Sequence, residues 1–292
     1  MNLTKAVLRA IRIRGFKGTV QSIVTKYIPL HIKNLEQYRV ALSGSMGLEI
    51  GGPTPWFGER GSLPVYSVLK NLDNCTFARS TMWGTFNQGT TYRFDKNKPP
   101  GHQFISEASD LHEIETGSYD CLLASHALEH LANPIKGLFE WRRVIREGGH
   151  LLLVVPHRDG TFDHRRPVTT LQHMVEDFEN NTDERDMTHL DEVISLHDVG
   201  VDPAVKDIPS FRERCLHNHE NRCLHHHVFD SELAIRLLDY TKFQVLAVDP
   251  GLPFNINILA RKPRHSDRVD NQSYLMPQAS YRKRSPFKSD RP

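Results

Sequence analysis

The 292-residue chain is 38% apolar and 25% charged, with 18 Gly and 17 Pro, a composition that fits one large domain or two small ones and excludes collagen and wholesale disorder. No apolar run reaches the roughly eighteen residues of a membrane-spanning helix, the first thirty residues hold no secretory signal pattern, and Cys75, Cys121, Cys215 and Cys223 are too few for a disulfide scaffold. The expected setting is the reducing cytoplasm. The net charge of +2 conceals basic ends: eight Lys/Arg against Glu36 alone over residues 1–45, seven against three acids over 263–292, and 22 against 31 between them. That acidic middle argues against a catalytic domain wrapped around a nucleic-acid backbone.

In chain order, residues 1–45 read as a basic amphipathic leader, its apolar residues from Leu3 to Ile28 spaced by three and four around Gly15 and Gly18. The leader is expected to dock on the domain that follows, with weak contact to a membrane surface as the next reading. Over 46–262, seven short apolar runs alternate with helical patterns. The strands are Met46–Gly51, Cys75–Ala78, Gln103–Glu107, Tyr119–Ser125, His150–Val155, Phe243–Asp249 and Phe254–Ala260. Helices fit Leu63–Leu69, Pro134–Arg146 and Ser231–Tyr240, the second opened by its proline and closed by Gly148-Gly149. Such alternation implies a doubly wound, mostly parallel α/β sheet of seven strands. The short Pro250-Gly251 turn makes the last two strands an antiparallel hairpin.

Residues 156–229 break the alternation and hold ten of the seventeen histidines. Starting at the carboxyl end of a central strand, where open α/β sheets bind ligands, this insert is expected to form a His-rich lid over a site. Within it, Cys215, His217, His219, Cys223, His225, His226 and His227 gather zinc-type donors. They lack a Cys-x-x-Cys pair, so hydrogen-bonded histidines lining a polar pocket are expected ahead of a metal site. Residues 263–292, rich in Arg, Ser, Asp and Pro, are expected to form a basic disordered tail.

The chemistry concentrates at strand ends. Gly47-Leu48-Glu49-Ile50-Gly51-Gly52-Pro53 ends a strand in an acid followed by glycines, which lets backbone approach a ligand. Asp110-Leu111, Ser125-His126-Ala127-Leu128-Glu129-His130 and Arg143-Val144 through Gly148-Gly149 follow in order. In this ordered set the chain resembles the class I S-adenosylmethionine-dependent methyltransferases of the methyltransferase type 11 kind, over residues 46–156 and more weakly 230–262. The nicotinamide-enzyme alternative expects G-x-G-x-x-G, a spacing this loop lacks.

The resemblance implies a Rossmann-like methyltransferase fold and S-adenosylmethionine as cofactor. Glu49 would stand beside its methionine part, Gly51-Gly52 against its backbone, Asp110 at the adenine amino group and Leu111 beside the ring, with Ser125 and His126 facing the methyl group. Gly52 follows Gly51 directly where the family has Gly-x-Gly, and Ala78-Arg79-Ser80 stands where a ribose-binding acid is expected. The polar lid points to a small polar acceptor methylated on oxygen, a sugar or glycoconjugate among the candidates. Methylating a hydroxyl needs a base within reach, for which His126, His157 and His164 are the candidates. The resemblance also raises a divalent metal at His126, Glu129 and His130, the place where quinone-forming O-methyltransferases carry Glu-x-x-Glu-His. A partner-binding protein that keeps the fold without catalysis, and a metal-dependent enzyme built on the His/Cys cluster, are the competing readings.

Overall fold

A computed structural model describes residues 32–202 and 204–291; the amphipathic pattern from Leu3 to Leu30 lies outside them. Helix α1 (Leu35–Leu42) buries Tyr38 and Leu42, and the Tyr38 hydroxyl donates to the Asn257 carbonyl at 3.0 Å. Strands β1 (Met46–Ile50), β2 (Asn71–Thr76), β3 (Ser80–Thr81), β4 (Gly84–Thr85), β5 (Gly89–Tyr92), β6 (Gly101–Ile105) and β7 (Tyr119–Ser125) follow. Helix α2 (Pro134–Val144), capped by the Asn133 side chain, runs directly into β8 (Ile145–Pro156). The insert contributes α3 (Leu171–Glu179), α4 (Leu190–Leu196), α5 (Ile208–Leu216) and α6 (Asn218–Asn221). Helix α7 (Ser231–Tyr240), β9 (Gln244–Gly251), β10 (Asn255–Arg261), α8 (Gln272–Leu275) and α9 (Ser280–Arg284) complete the order. No described helix is long and apolar enough to cross a membrane.

The main sheet has the order β5-β6-β2-β1-β7-β8-β10-β9. Strands β6, β2, β1, β7 and β8 are parallel, while β10 runs antiparallel to both neighbours. All seven expected strands are present, with the terminal hairpin at one edge. The eighth, β5, reads Gly-Thr-Thr-Tyr and pairs antiparallel with β6 at the other edge, where a polar strand carries no alternation to be noticed. The central strands carry apolar residues on both faces because both faces are covered. Leu122, Ala124, Leu151, Leu153 and Val155 pack in the layer that includes Ile135, Leu138 and Trp141 of α2 and Leu237 and Leu238 of α7. Cys121, Leu123, Leu152 and Val154 face Tyr38, Leu42, Phe57 and Leu63 on the opposite side.

Three regions depart from expectation. The helix expected over Leu63–Leu69 reduces to a single 3-10 turn at Tyr66–Val68. The segment after Arg261, read as disordered, folds back onto the domain and buries Tyr281, Phe287 and Asp290. Its basic, Ser- and Pro-rich composition hides these few anchors. The insert is helical, with a small core of Val193, Phe211, Cys215 and Leu224, while α3 places Met174 in the main core.

Candidate active site

Past Ile50 the chain turns through Gly51 at φ +79°, a conformation that glycine adopts without steric cost. At Gly52 a side chain is excluded by proximity, since a Cβ there would lie 2.1 Å from the Glu49 carboxyl carbon. Asn74 clamps this residue from β2, accepting from Gly52 N at 3.2 Å and donating to its carbonyl at 3.3 Å. Glu49 is fully buried behind the loop. Its carboxyl group accepts from Tyr66 Oη at 2.8 Å and from Tyr92 Oη, and burial pushes its pKa up to about 7.

The unfolded chain ionises Glu49 near 4.5 and the folded chain near 7. The folded state therefore binds more protons between those values, and the stability Glu49 contributes falls as pH rises through that window. Glu49→Gln cannot ionise. Urea unfolding should show the variant gaining on the native chain by about 3 kcal/mol between pH 4.5 and 7; a pH-independent difference would count against a protonated Glu49.

The loop borders a cavity of about 600 Å³ at the carboxyl ends of β1, β2, β6 and β7. Gly51, Gly52, Phe77, Glu107 and Ser125 line it, Trp83 and Phe86 of the β3–β4 region close it, and Arg222 reaches it from the insert. Glu107 is the one carboxylate among the described lining residues. It pairs with Arg222, whose guanidinium lies 5.3 Å from the centre of the Phe77 ring. Ser125 Oγ is buried with no hydrogen-bond partner, an atom for a ligand to satisfy.

A second cavity, about 540 Å³, is lined by Trp56, Glu129, Phe162, His225, Phe254 and Asn255 among others, and shares Thr54, Pro55, His126 and His130 with the first. His126 stands in the shared wall at φ +53°, an uncommon backbone for a non-glycine residue. Its backbone N–H donates to Val154 O at 2.9 Å. The ring is bracketed, with Nε2 2.7 Å from Asn255 Oδ1 and Nδ1 3.4 Å from Glu129 Oε1. Glu129 is buried, and neither of its oxygens has a hydrogen-bond partner. Burial pushes its pKa up, yet the His126 contact and neighbouring imidazoles leave it below the ordinary carboxylate range. Burial drives His130 down to about 4.

Among the residues singled out from sequence, Gly51, Gly52, Ser125 and His126 stand in the first cavity wall. Glu49 supports the loop from behind. Asp110 is exposed beside His112, three positions beyond Glu107, which follows the end of β6 and lines the cavity. Leu111 is in the core. His157 is buried against Asp290 and Phe287, and the partly exposed His164 pairs with Asp198; neither lines either cavity, so the three candidate bases do not converge. The insert's histidines do not face the first cavity either: it supplies Arg222 there and His225 to the second. The run from Cys215 to His227 does not form one centre. Cys215 is in the insert core, Cys223 lies beside Met82, and His217 and His219 are exposed. Glu107 was legible as the acid ending its strand. Arg222 and Trp83 reach the cavity only through tertiary packing, for which the sequence offers no local signal.

A family model described as a methyltransferase domain matches residues 87–153, the stretch holding β5 through most of β8. A curated relative, an uncharacterized 37.1 kDa protein in transposon TN4556 of Streptomyces fradiae, is 41% identical over 61 residues, covering 20% of this chain and 18% of that protein. The chain thus matches under a fifth of that relative's length. Solved structures similar to this chain include S-adenosylmethionine-dependent methyltransferases from three organisms. For Methanosarcina mazei, identity is 15% and TM-score 0.43, covering 80% of this chain and 99% of that one. For Mesorhizobium loti the figures are 13%, 0.43, 78% and 95%, and for Aquifex aeolicus 10%, 0.42, 88% and 98%. The family match shows a methyltransferase domain over residues 87–153, and together with the parallel sheet ending in a reversed strand and the glycine loop at its carboxyl edge it supports a class I S-adenosylmethionine-dependent methyltransferase. Within that class the matched segment is of the methyltransferase type 11 kind.

Proposed function

We propose that the chain binds S-adenosylmethionine in the first cavity and transfers its methyl group to an oxygen of a small polar molecule in the second. The observation that carries this reading is the junction: two cavities of about 600 and 540 Å³ meet at His126. Gly51 and Gly52 receive the donor's methionine part, Ser125 Oγ one of its polar groups, and Glu107, in place of Asp110, accepts from the adenine amino group. With no acid following β2, Phe77 and Arg222 border the ribose region.

Transfer from a sulfonium requires an in-line nucleophile. A hydroxyl nucleophile must lose its proton, and His126 receives it on Nδ1, with Nε2–H held by Asn255 Oδ1 and the Glu129 carboxylate 3.4 Å from Nδ1 stabilising the imidazolium that forms. The ring faces of Trp56, Phe162 and Phe254, interspersed with His225, Asn255 and Asp202, suit a hydroxylated ring compound, sugars included. Glu129, His130 and His225 bring ligand atoms within 4.8 Å of one another. With the unpartnered Glu129 carboxylate this donor set fits a divalent cation, which when bound would act as a Lewis acid beside the acceptor.

Calorimetry with S-adenosylmethionine tests the donor site. The native chain should bind it, Glu107→Ala should weaken binding by about 1–3 kcal/mol, as for a polar ligand group left unpaired, and Asp110→Ala should leave it unchanged. No binding by the native chain, or equal losses in both variants, would overturn the assignment.

A further inference from the structure

Behind the second cavity, four side chains that form no part of either cavity wall converge. His173 and Asp177 stand one turn apart on α3, His189 precedes α4, and His227 belongs to the extended stretch leading to α7. His173 Nε2 lies 3.0 Å from His189 Nε2 and 3.4 Å from Asp177 Oδ2, and His227 Nε2 lies 3.7 Å from the same oxygen. One proton can satisfy the two facing imidazole nitrogens, but it leaves the carboxylate unserved. Asp177 Oδ2 is buried with no hydrogen-bond partner, and so is His227 Nδ1. Thr182 Oγ1 donates to the other carboxylate oxygen at 3.2 Å, which orients the unpartnered one.

We propose that His173, Asp177, His189 and His227 form a zinc site. Ligand atoms about 2.0–2.1 Å from a tetrahedral zinc stand about 3.3 Å from one another, and the three measured separations straddle that value. Imidazole nitrogen and carboxylate oxygen are zinc donors, and four protein ligands close the coordination sphere, as in structural rather than catalytic sites. The site adjoins the turn that carries Glu129 and His130. Asn133 Nδ2 donates to the Asp177 carbonyl at 2.9 Å, and His227 Nε2, now 3.2 Å from the Ala132 carbonyl, would exchange that contact for zinc. Zinc here ties α3, the start of α4 and the 225–229 stretch to the floor beneath the acceptor cavity. It is separate from the cation that Glu129, His130 and His225 would hold.

The test uses the full chain stripped with chelator and titrated with zinc, with bound metal, affinity and thermal midpoint measured. The native chain should bind zinc and melt at a higher temperature with it. His173→Ala and His189→Ala, at partly exposed positions, should each weaken this binding by about a hundredfold and lose the thermal shift, whereas Glu129→Gln should keep both. If His189→Ala fails to fold, His173→Gln supplies the same comparison. The site is ruled out if the native chain takes up no zinc, or if neither histidine variant loses a zinc equivalent relative to the native chain, including the case where the loss is confined to Glu129→Gln.

Discussion

Replacing His126 with alanine should lower turnover by about 10²–10⁴-fold, the usual contribution of a positioned general base, while the dissociation constant for S-adenosylmethionine changes little. The ring occupies the wall between the two cavities, so its loss falls on proton removal from the acceptor in the transition state. The donor's sulfonium carries no proton for it to take. A side chain acting only in the transition state lowers kcat and kcat/KM together, whereas a donor-binding group shows itself in affinity. Glu129→Gln should have a smaller effect in the same direction, because it keeps the shape beside Nδ1 and removes the charge. Pre-steady-state transfer to any acceptor that sustains turnover, with donor affinity measured alongside, decides the matter. Unchanged transfer, or a loss residing wholly in donor affinity, would remove His126 as the base.

Asp290→Ala should destabilise the fold by about 3 kcal/mol, because it leaves the buried Ser231 and Ser285 donors unpaired, at about 1–3 kcal/mol for an unsatisfied buried group. Asp290 Oδ1 lies 3.2 Å from His157 Nε2 and accepts from Ser231 N at 3.2 Å. Its Oδ2 accepts from Ser231 Oγ at 2.7 Å and Ser285 Oγ at 2.6 Å. Burial pushes this carboxyl up, but the His157 contact and the two hydroxyls outweigh it and leave the pKa below the ordinary range. The stability it contributes is therefore present above the unfolded pKa of about 3.9 and is lost as pH falls through the lower folded value. Urea denaturation at neutral pH checks the magnitude, and a loss below about 1 kcal/mol would mean that the segment lies on the surface without holding it.

The strands were legible because their apolar runs are buried on both faces, a pattern no surface element mimics. β5 escaped because an edge strand of glycine and threonine buries Tyr92 alone and so shows no apolar run. The terminal segment misled because composition averages over thirty residues, whereas Tyr281, Phe287 and Asp290 act singly. At the site, the glycine loop and Ser125-His126 could be read from strand ends, since chain direction alone fixes where such residues emerge. Asp110 lies outside the cavity wall, where Glu107 stands three positions earlier: strand β6 ends at Ile105, and the residues just beyond it line the cavity. His157 and His164 read as bases from their residue type, but an imidazole reaches whichever carboxylate lies closest, Asp290 for one and Asp198 for the other. Pairings such as Arg222 with Glu107 or His126 with Asn255 span more than a hundred residues and leave no local trace.

The reversed strand also sets the order in which the molecule can be built. β8 is flanked by β7, completed before it, and by β10, whose first residue follows only after residues 157–254 have been made. During synthesis one long edge of β8, apolar on both faces, waits without a partner while the insert emerges from the ribosome. An unpaired edge of that kind templates association between chains, and nascent chains expose it at the pace of translation. Asn255, the residue bracketing His126, opens β10. Closing that edge and completing the junction between the cavities are thus one event, and a chain that stalls before residue 255 lacks both.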